Sequence, residues 1–106
     1  MQRGCFLMRV KTDNMDEYKK AHEAVWPEML DAIREAGIRN YSLFMHEDGL
    51  IVGYLEAEDV KESLRRVGET DANARWQAHM APFFESGSGD LEKGALEWLD
   101  VYFHTA

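Results

Sequence analysis

The sequence predicts an α+β fold, a ferredoxin-like domain in which strands and helices follow the order β-α-β-β-α-β. Two observations support this prediction. Apolar residues alternate with other residues in four segments, the pattern of strands that pack against a core. Between these segments, apolar residues recur every three or four positions, as they do along amphipathic helices. A chain of 106 residues suits one core, so we expect residues 1–106 to form one domain.

The first strand and the first helix follow in order. Residues 4–10 alternate, with their large apolar side chains on one face, and predict a strand. Asp13 or Asn14 can cap the helix that follows, and Gly37 is a suitable residue for its end. Pro27 interrupts this helix, because proline removes a backbone hydrogen bond and costs about 3 kcal/mol in a helix interior. We expect a kink at Pro27; the alternative is a break between two short helices.

The remaining elements complete the order. Residues 38–46 and 50–57 alternate as two strands, and the turn EDG between them predicts a hairpin. Two short helices are expected between residues 60 and 84, where apolar residues return to helical spacing. Residues 85–90, ESGSGD, predict a flexible loop. Residues 95–104 predict a last strand that is apolar on both faces.

Composition excludes several kinds of partner. The chain has 12 basic and 20 acidic residues and a net charge of −8, which disfavours nucleic acids and anionic substrates. No apolar run approaches the roughly 20 residues of a membrane helix, and the apolar N-terminal segment is shorter than that of a secretion signal, about 7 to 15 residues. We therefore expect a cytoplasmic protein without a membrane segment. Cys5 is the single cysteine, and its place in a predicted strand favours a structural role.

The predicted sheet favours a homodimer. In a chain of this size the helices cover one face of a four-stranded sheet, and here the other face also carries large apolar residues. An exposed apolar face of that extent promotes aggregation. A second copy of the chain would cover it, so we expect two chains to pair through this face.

A candidate binding site lies on the apolar side of the first helix. Tyr18, His22 and Trp26 follow one another at intervals of one helical turn, and Asn40 and Tyr41 lie on the neighbouring strand. Apolar walls with a few converging polar groups are typical of small-molecule sites. Aromatic faces flanked by hydroxyl and amide groups suit a sugar, which is neutral and tolerates an acidic protein surface. The alternative is that His22 is a packed residue bonded to a backbone carbonyl and that the aromatic residues belong to the core.

Other chemistries lack support in the sequence. The four histidines are scattered, and the helix that bears His22 lacks the second histidine of a zinc motif. The sequence contains no motif for a serine or cysteine nucleophile and no glycine-rich phosphate loop. We expect no metal site.

The whole chain resembles the L-rhamnose mutarotase family. The resemblance rests on the segments EYKKAHEAVWPEM, GIRNYSLF, ARWQAHM and LEWLDVYF, of which the first is the most specific. It implies an enzyme that interconverts the α and β anomers of L-rhamnose. It also implies a dimeric α/β barrel, formed by a homodimer packed sheet to sheet, with no metal and no organic cofactor.

The resemblance also implies roles for particular residues. It places the general acid at His22 and the contacts to the sugar at Tyr18, Tyr41, Trp76 and Gln77. The family form carries two consecutive tryptophans where this chain has Trp76 followed by Gln77. A hydrogen-bonding amide therefore replaces an aromatic wall, which leaves open whether L-rhamnose or another deoxy-hexose is the preferred sugar.

Anomer exchange needs only proton transfer. A proton reaches the ring oxygen while the anomeric hydroxyl loses one, and the opened ring closes again on the other face of the carbonyl. Histidine, with an unperturbed pKa of about 6.5, can give and take protons near neutrality. Two alternatives stay open: a cofactor-independent monooxygenase or haem-degrading enzyme of the same barrel class, and a non-enzymatic dimeric sugar-binding module.

Overall fold

The computed structural model describes residues 1–84 and 96–106 and has the predicted α+β architecture. Its four strands form one antiparallel sheet in the order β2-β3-β1-β4, which is the strand order of a ferredoxin-like domain. The elements, in chain order, are β1 (Gln2–Arg9), α1 (Met15–Glu23), α2 (Pro27–Glu35), β2 (Arg39–Met45), β3 (Leu50–Ala57), α3 (Val60–Gly68), α4 (Asp71–Met80) and β4 (Glu97–Leu99).

The core lies on the inner face of the sheet, where the two central strands meet the helices. Alternation along β1 buries Phe6, Met8 and Val10, as the sequence predicts. Phe6 is fully buried and pairs across the strands with Gly53 of β3. A Cβ atom on residue 53 would lie 2.1 Å from Cζ of the Phe6 ring, so only glycine leaves room for this ring. The largest fully buried side chain therefore depends on the smallest residue of the neighbouring strand.

The long helix predicted up to Gly37 is in fact two helices, so the expected kink is wrong and the alternative of a break is correct. α1 ends at Glu23 and α2 begins at Pro27, with Trp26 in an extended conformation before it. Proline is well tolerated at the first helical position, because its missing N–H would have no partner there. Gly37 follows α2 with a φ of +91°, as predicted for a helix end. Asn14 occupies the N-cap position of α1, one of the two residues predicted for it, but its side chain makes no capping hydrogen bond.

The two short helices predicted between residues 60 and 84 are α3 and α4. Asp59 and Thr70 cap them, since their side chains accept hydrogen bonds from the backbone N–H groups of Glu62 at 3.2 Å and Asn73 at 3.1 Å. None of the helices in the described residues is both long enough and apolar enough to cross a membrane.

The last strand is shorter than predicted. β4 covers Glu97–Leu99 and pairs with β1, whereas residues 100–106 have no regular structure. The side chain of Tyr102 is 99% exposed. A longer strand would need other parts of the protein to pack against both of its apolar faces. Beyond Leu99, the described part of one chain provides no such packing partner. The predicted loop at 85–90 and residue 95 lie outside the described residues.

The outer face of the sheet carries an apolar surface that no described element covers. Leu7 and Val52 are half-buried in its centre, and Phe44 and Leu99 are 60% and 42% exposed at its sides. Cross-strand pairing places these residues opposite one another, with Leu7 paired to Val52 and Val52 to Phe44. This arrangement matches the second apolar face that the sequence predicts.

Candidate active site

A cavity of about 190 Å³ lies between the inner face of the sheet and helices α1, α2 and α4. The five residues to which the family resemblance gives a role all line it: Tyr18, His22, Tyr41, Trp76 and Gln77. They come from three different elements, and the fold brings them together around one space. Their chemical roles remain predictions.

His22 lies in the last turn of α1, half-buried, and its ring contacts one backbone carbonyl and two aromatic rings. Its Nδ1 atom lies 3.0 Å from the backbone carbonyl oxygen of Tyr18. Because a carbonyl oxygen can only accept, Nδ1 carries the proton and donates this bond, which leaves Nε2 for exchange with a ligand. The ring centroid lies 4.5 Å from that of Tyr18 and 5.7 Å from that of Trp76. His22 is therefore both bonded to a carbonyl, as one interpretation expected, and placed at the cavity, as the other did.

Two phenols supply neutral hydroxyl groups to the cavity. Burial raises the pKa of Tyr18 well above its ordinary value, and the neighbouring phenol of Tyr41 adds a smaller increase. Burial likewise raises the pKa of Tyr41. Both hydroxyls therefore stay protonated across the neutral range and can donate and accept hydrogen bonds without carrying charge.

A β-bulge turns Tyr41 toward the cavity. Arg39 pairs with Glu56 of β3, but Ser42 pairs with Tyr54, so β2 contains one extra residue between these two pairs. Asn40 sits in the bulge with a φ of +51°. Without the extra residue, Tyr41 would face outward, since successive strand residues alternate between faces.

Asn40 and Trp26 do not line the cavity, so their expected place in the site is wrong. Asn40 is exposed, and its side-chain N–H donates to Glu56 Oε1 at 2.8 Å. Trp26 lies behind Trp76, with ring centroids 5.1 Å apart and planes at 84°. Trp76 is only 6% exposed, so it belongs to the core and to the cavity wall at once. Trp26 supports this wall from outside.

Gln77 is held by a second amide. Its Nε2 donates to Oδ1 of Asn73 at 3.2 Å, one turn earlier on α4. Asn73 is 3% exposed. The sequence analysis did not single out Asn73, and an i, i+4 pair of amides on a predicted helix is the signal that would have found it.

The other lining residues were not assigned to the site from the sequence. All are apolar, and nothing in a single sequence separates an apolar cavity wall from ordinary core. They are Met8, Val25, Met29, Leu30, Ile33, Leu43, Met80 and Phe84.

The described lining of the cavity is uncharged and encloses a small space. None of the described residues that line the cavity carries a fixed charge, and the polar groups are two phenols, one imidazole and one carboxamide. The volume lies below the range of about 300 to 1,000 Å³ that is typical of pockets for drug-sized molecules. A single sugar ring with hydroxyl groups at its edge fits this size and polarity, whereas a haem with its carboxylates does not.

The fold and the site together define a ferredoxin-like domain with a small cavity beside a histidine, lined in its described part by uncharged residues. A family model described as L-rhamnose mutarotase matches residues 3–105. The chain belongs to the L-rhamnose mutarotase family, which confirms the resemblance seen in the sequence.

Similar proteins support this membership at the level of sequence and fold. An L-rhamnose mutarotase from Bacillus subtilis (strain 168) is 36% identical over 104 residues, covering 97% of this chain and 98% of that protein. The crystal structure of an L-rhamnose mutarotase from Formosa agariphila aligns over 100% of both chains with a TM-score of 0.81, at 17% identity. A putative antibiotic biosynthesis monooxygenase from Nitrosomonas europaea has a TM-score of 0.58, with 20% identity and 78% of both chains covered. The fold alone therefore does not decide between these activities.

Proposed function

We propose that this chain is an isomerase that interconverts the α and β anomers of L-rhamnose or a related deoxy-hexose. The observation that carries the proposal is the orientation of His22, whose Nδ1 is bonded to a carbonyl while its ring lines an uncharged cavity of about 190 Å³. Family membership supports the choice of sugar. A cytoplasmic location stays a prediction.

The proposed reaction moves two protons and breaks one carbon–oxygen bond. Nε2 of protonated His22 gives a proton to the ring oxygen, the anomeric hydroxyl gives its proton to a water molecule, and the bond between the anomeric carbon and the ring oxygen opens. The resulting aldehyde rotates and the ring closes on its other face as the proton transfers reverse. No electron transfer is needed. A positioned acid–base group contributes about 10²- to 10⁴-fold to such a step.

Tyr18 and Tyr41 orient the sugar in this proposal. Because their pKa values are raised, the phenols are poor sources of a proton and suit neutral hydrogen bonds to hydroxyl groups. Trp76 forms the apolar wall, and its buried ring can face the C–H side of a pyranose.

Replacing Trp76 by leucine is expected to weaken L-rhamnose binding about tenfold, because the flat wall is lost. The same change is expected to lower stability by about 2 kcal/mol, since the ring also belongs to the core. Binding is measured by calorimetry on folded protein, and stability by urea denaturation. Trp98→Leu is the matched control: Trp98 packs on Phe6 away from the cavity, so it should lose stability and keep its affinity. If Trp76→Leu binds L-rhamnose as tightly as the native chain does, Trp76 is not part of the site.

We also propose that two copies of the chain pair through the outer face of the sheet. Exposed apolar side chains gather there, including Phe44 and Leu99, and the apolar residues Val101 and Phe103 follow beside β4 without cover. Helices occupy the inner face and no described element lies on the outer one, so a second copy of the chain would supply its cover. This pairing would form the dimeric α/β barrel that the resemblance implies.

The charge variant Leu99→Asp is expected to convert the dimer into a monomer of about half the mass, because the carboxylate would be buried at the interface. Light scattering at micromolar concentration measures the mass. Ala78→Asp, on the exposed side of α4, should stay dimeric. A native chain of about 12 kDa in solution would contradict the proposed pairing.

The alternatives give different results in simple assays. A haem-degrading enzyme would shift the Soret band of added haem, and we expect no stable shift because the cavity is small and none of its described lining residues offers a cation to the propionates. A non-enzymatic sugar-binding module would bind L-rhamnose without speeding its anomer exchange. Exchange followed by NMR saturation transfer tests the proposed function directly, and an uncatalysed rate with bound sugar would overturn it.

A further inference from the structure

We propose that Asn73 and Gln77 form a pair that selects for a hydroxyl group on the sugar: Asn73 orients the carboxamide of Gln77, which hydrogen-bonds one ligand hydroxyl. The inference rests on the proposed function for the kind of ligand. It adds which sugars the site prefers and assigns Asn73 a role as a positioning residue.

Gln77 differs from every other residue of the cavity lining. Among the described residues, the remaining polar groups of the lining, those of Tyr18, His22 and Tyr41, are carried by aromatic rings, and the other lining residues are apolar. A carboxamide offers two N–H donors and one acceptor oxygen. When a ligand displaces water from the cavity, these groups must find partners in the ligand or in the protein.

One donor of Gln77 already has its partner. Nε2 donates to Oδ1 of Asn73 at 3.2 Å. Asn73 is nearly fully buried, and its backbone N–H is bonded to the hydroxyl of Thr70, the residue that caps α4. Asn73 does not line the cavity, so it acts on a ligand only through Gln77.

The second N–H and the Oε1 of Gln77 have no hydrogen-bond partner among the described residues. A donor and an acceptor side by side match a hydroxyl group, which both donates and accepts. Since Asn73 holds the amide before the ligand arrives, little side-chain freedom is lost on binding. A sugar with a C–H or methyl group at this point leaves the amide unpaired, and we expect its affinity to fall about tenfold.

The test measures which hydroxyl depends on Gln77. The ligands are L-rhamnose, its analogues that lack the hydroxyl at C2, C3 or C4, and L-mannose, which adds a hydroxyl at C6. Dissociation constants are measured for the native chain and for Gln77→Met, which keeps the length of the side chain without its hydrogen bonds. For one of these positions, the hydroxyl should strengthen binding about tenfold in the native chain and less than about twofold in Gln77→Met.

Variants of Asn73 separate positioning from stability. Asn73→Ala should reduce the same preference, whereas Asn73→Asp, which keeps an acceptor for Nε2 of Gln77, should restore it. If Asn73 had a purely structural role, both of its variants would have a lower melting temperature. The ratio of the dissociation constants for the sugars with and without that hydroxyl would then stay at its native value. Ala78→Gln, an added amide on the exposed side of α4, should leave the ratio unchanged.

Failure of this inference and failure of the proposed function give different results. If no hydroxyl position depends on Gln77 while L-rhamnose exchange is fast, the inference is wrong and the function stands. If the preference depends on Gln77 and Asn73 but no sugar exchanges faster than in water, the inference stands and the proposed function is wrong.

Discussion

Replacing His22 by asparagine is expected to slow anomer exchange by about 10² or more while the melting temperature moves little. Asparagine has a similar size, and its side-chain N–H can donate to the Tyr18 carbonyl as Nδ1 of His22 does. The local structure at the end of α1 should therefore persist. What is lost is a group that exchanges a proton near pH 7, since an amide neither gains nor loses one there.

Saturation transfer between the two anomeric signals of L-rhamnose measures the exchange, and thermal unfolding measures stability. His46→Asn is the matched control, because His46 is exposed beyond β2 and away from the cavity. The His46→Asn variant should interconvert the anomers of L-rhamnose at the native rate. The opposite pattern for His22→Asn, a clear loss of melting temperature with normal exchange per folded molecule, would show that His22 is only a packed residue.

The substitution Gly53→Ala is expected to lower stability by about 3 kcal/mol, near the upper end for an overfilled core. The added methyl would lie 2.1 Å from Cζ of Phe6 and 2.5 Å from Cε1, so the ring must move. Phe6 is fully buried, and its edge meets Tyr41 with ring centroids 6.4 Å apart, so displacement also reaches the site. We expect the melting temperature to fall by more than about 10 °C.

Two further variants test the cause of this loss. Gly37→Ala adds the same methyl where only Ser63 Oγ lies close, at 3.5 Å, so it should cost only the strain of its positive φ, about 1 kcal/mol. Phe6→Leu replaces the ring with a more adaptable side chain. The double variant of Phe6→Leu and Gly53→Ala should lose less stability than the sum of the two single changes. Additive losses would contradict the steric explanation.

The order of elements could be predicted because it depends on neighbours in the sequence. Alternation along 4–10 and 50–57 identifies strands, and three- to four-residue spacing identifies helices, since both patterns report which side of a local segment faces the core. The last strand shows the limit. Its apolar residues predict pairing as far as residue 104, but a strand also needs a partner, and only Glu97–Leu99 pairs with β1.

The residues of the candidate site also divide into those that local sequence spacing predicts and those that it does not. Tyr18 and His22 lie on one side of α1 because they are four residues apart, and this follows from the sequence alone. The prediction of Trp76 and Gln77 came from family resemblance. Local spacing also placed Trp26 in the site, and this was wrong because α1 ends before it: Trp26 contacts Trp76, as His22 does, but does not line the cavity.

The fold class, the strand and helix order and the histidine-bearing side of α1 can be predicted from the amino-acid sequence, because each follows from periodicity within a short segment. Three features required the folded chain: Pro27 starts a second helix, a bulge at Asn40 turns Tyr41 inward, and Asn73 holds Gln77. These outcomes depend on strand register and on side-chain contacts between elements. A cavity is the space left between segments that are distant in sequence, so its shape follows from their packing and not from any one of them.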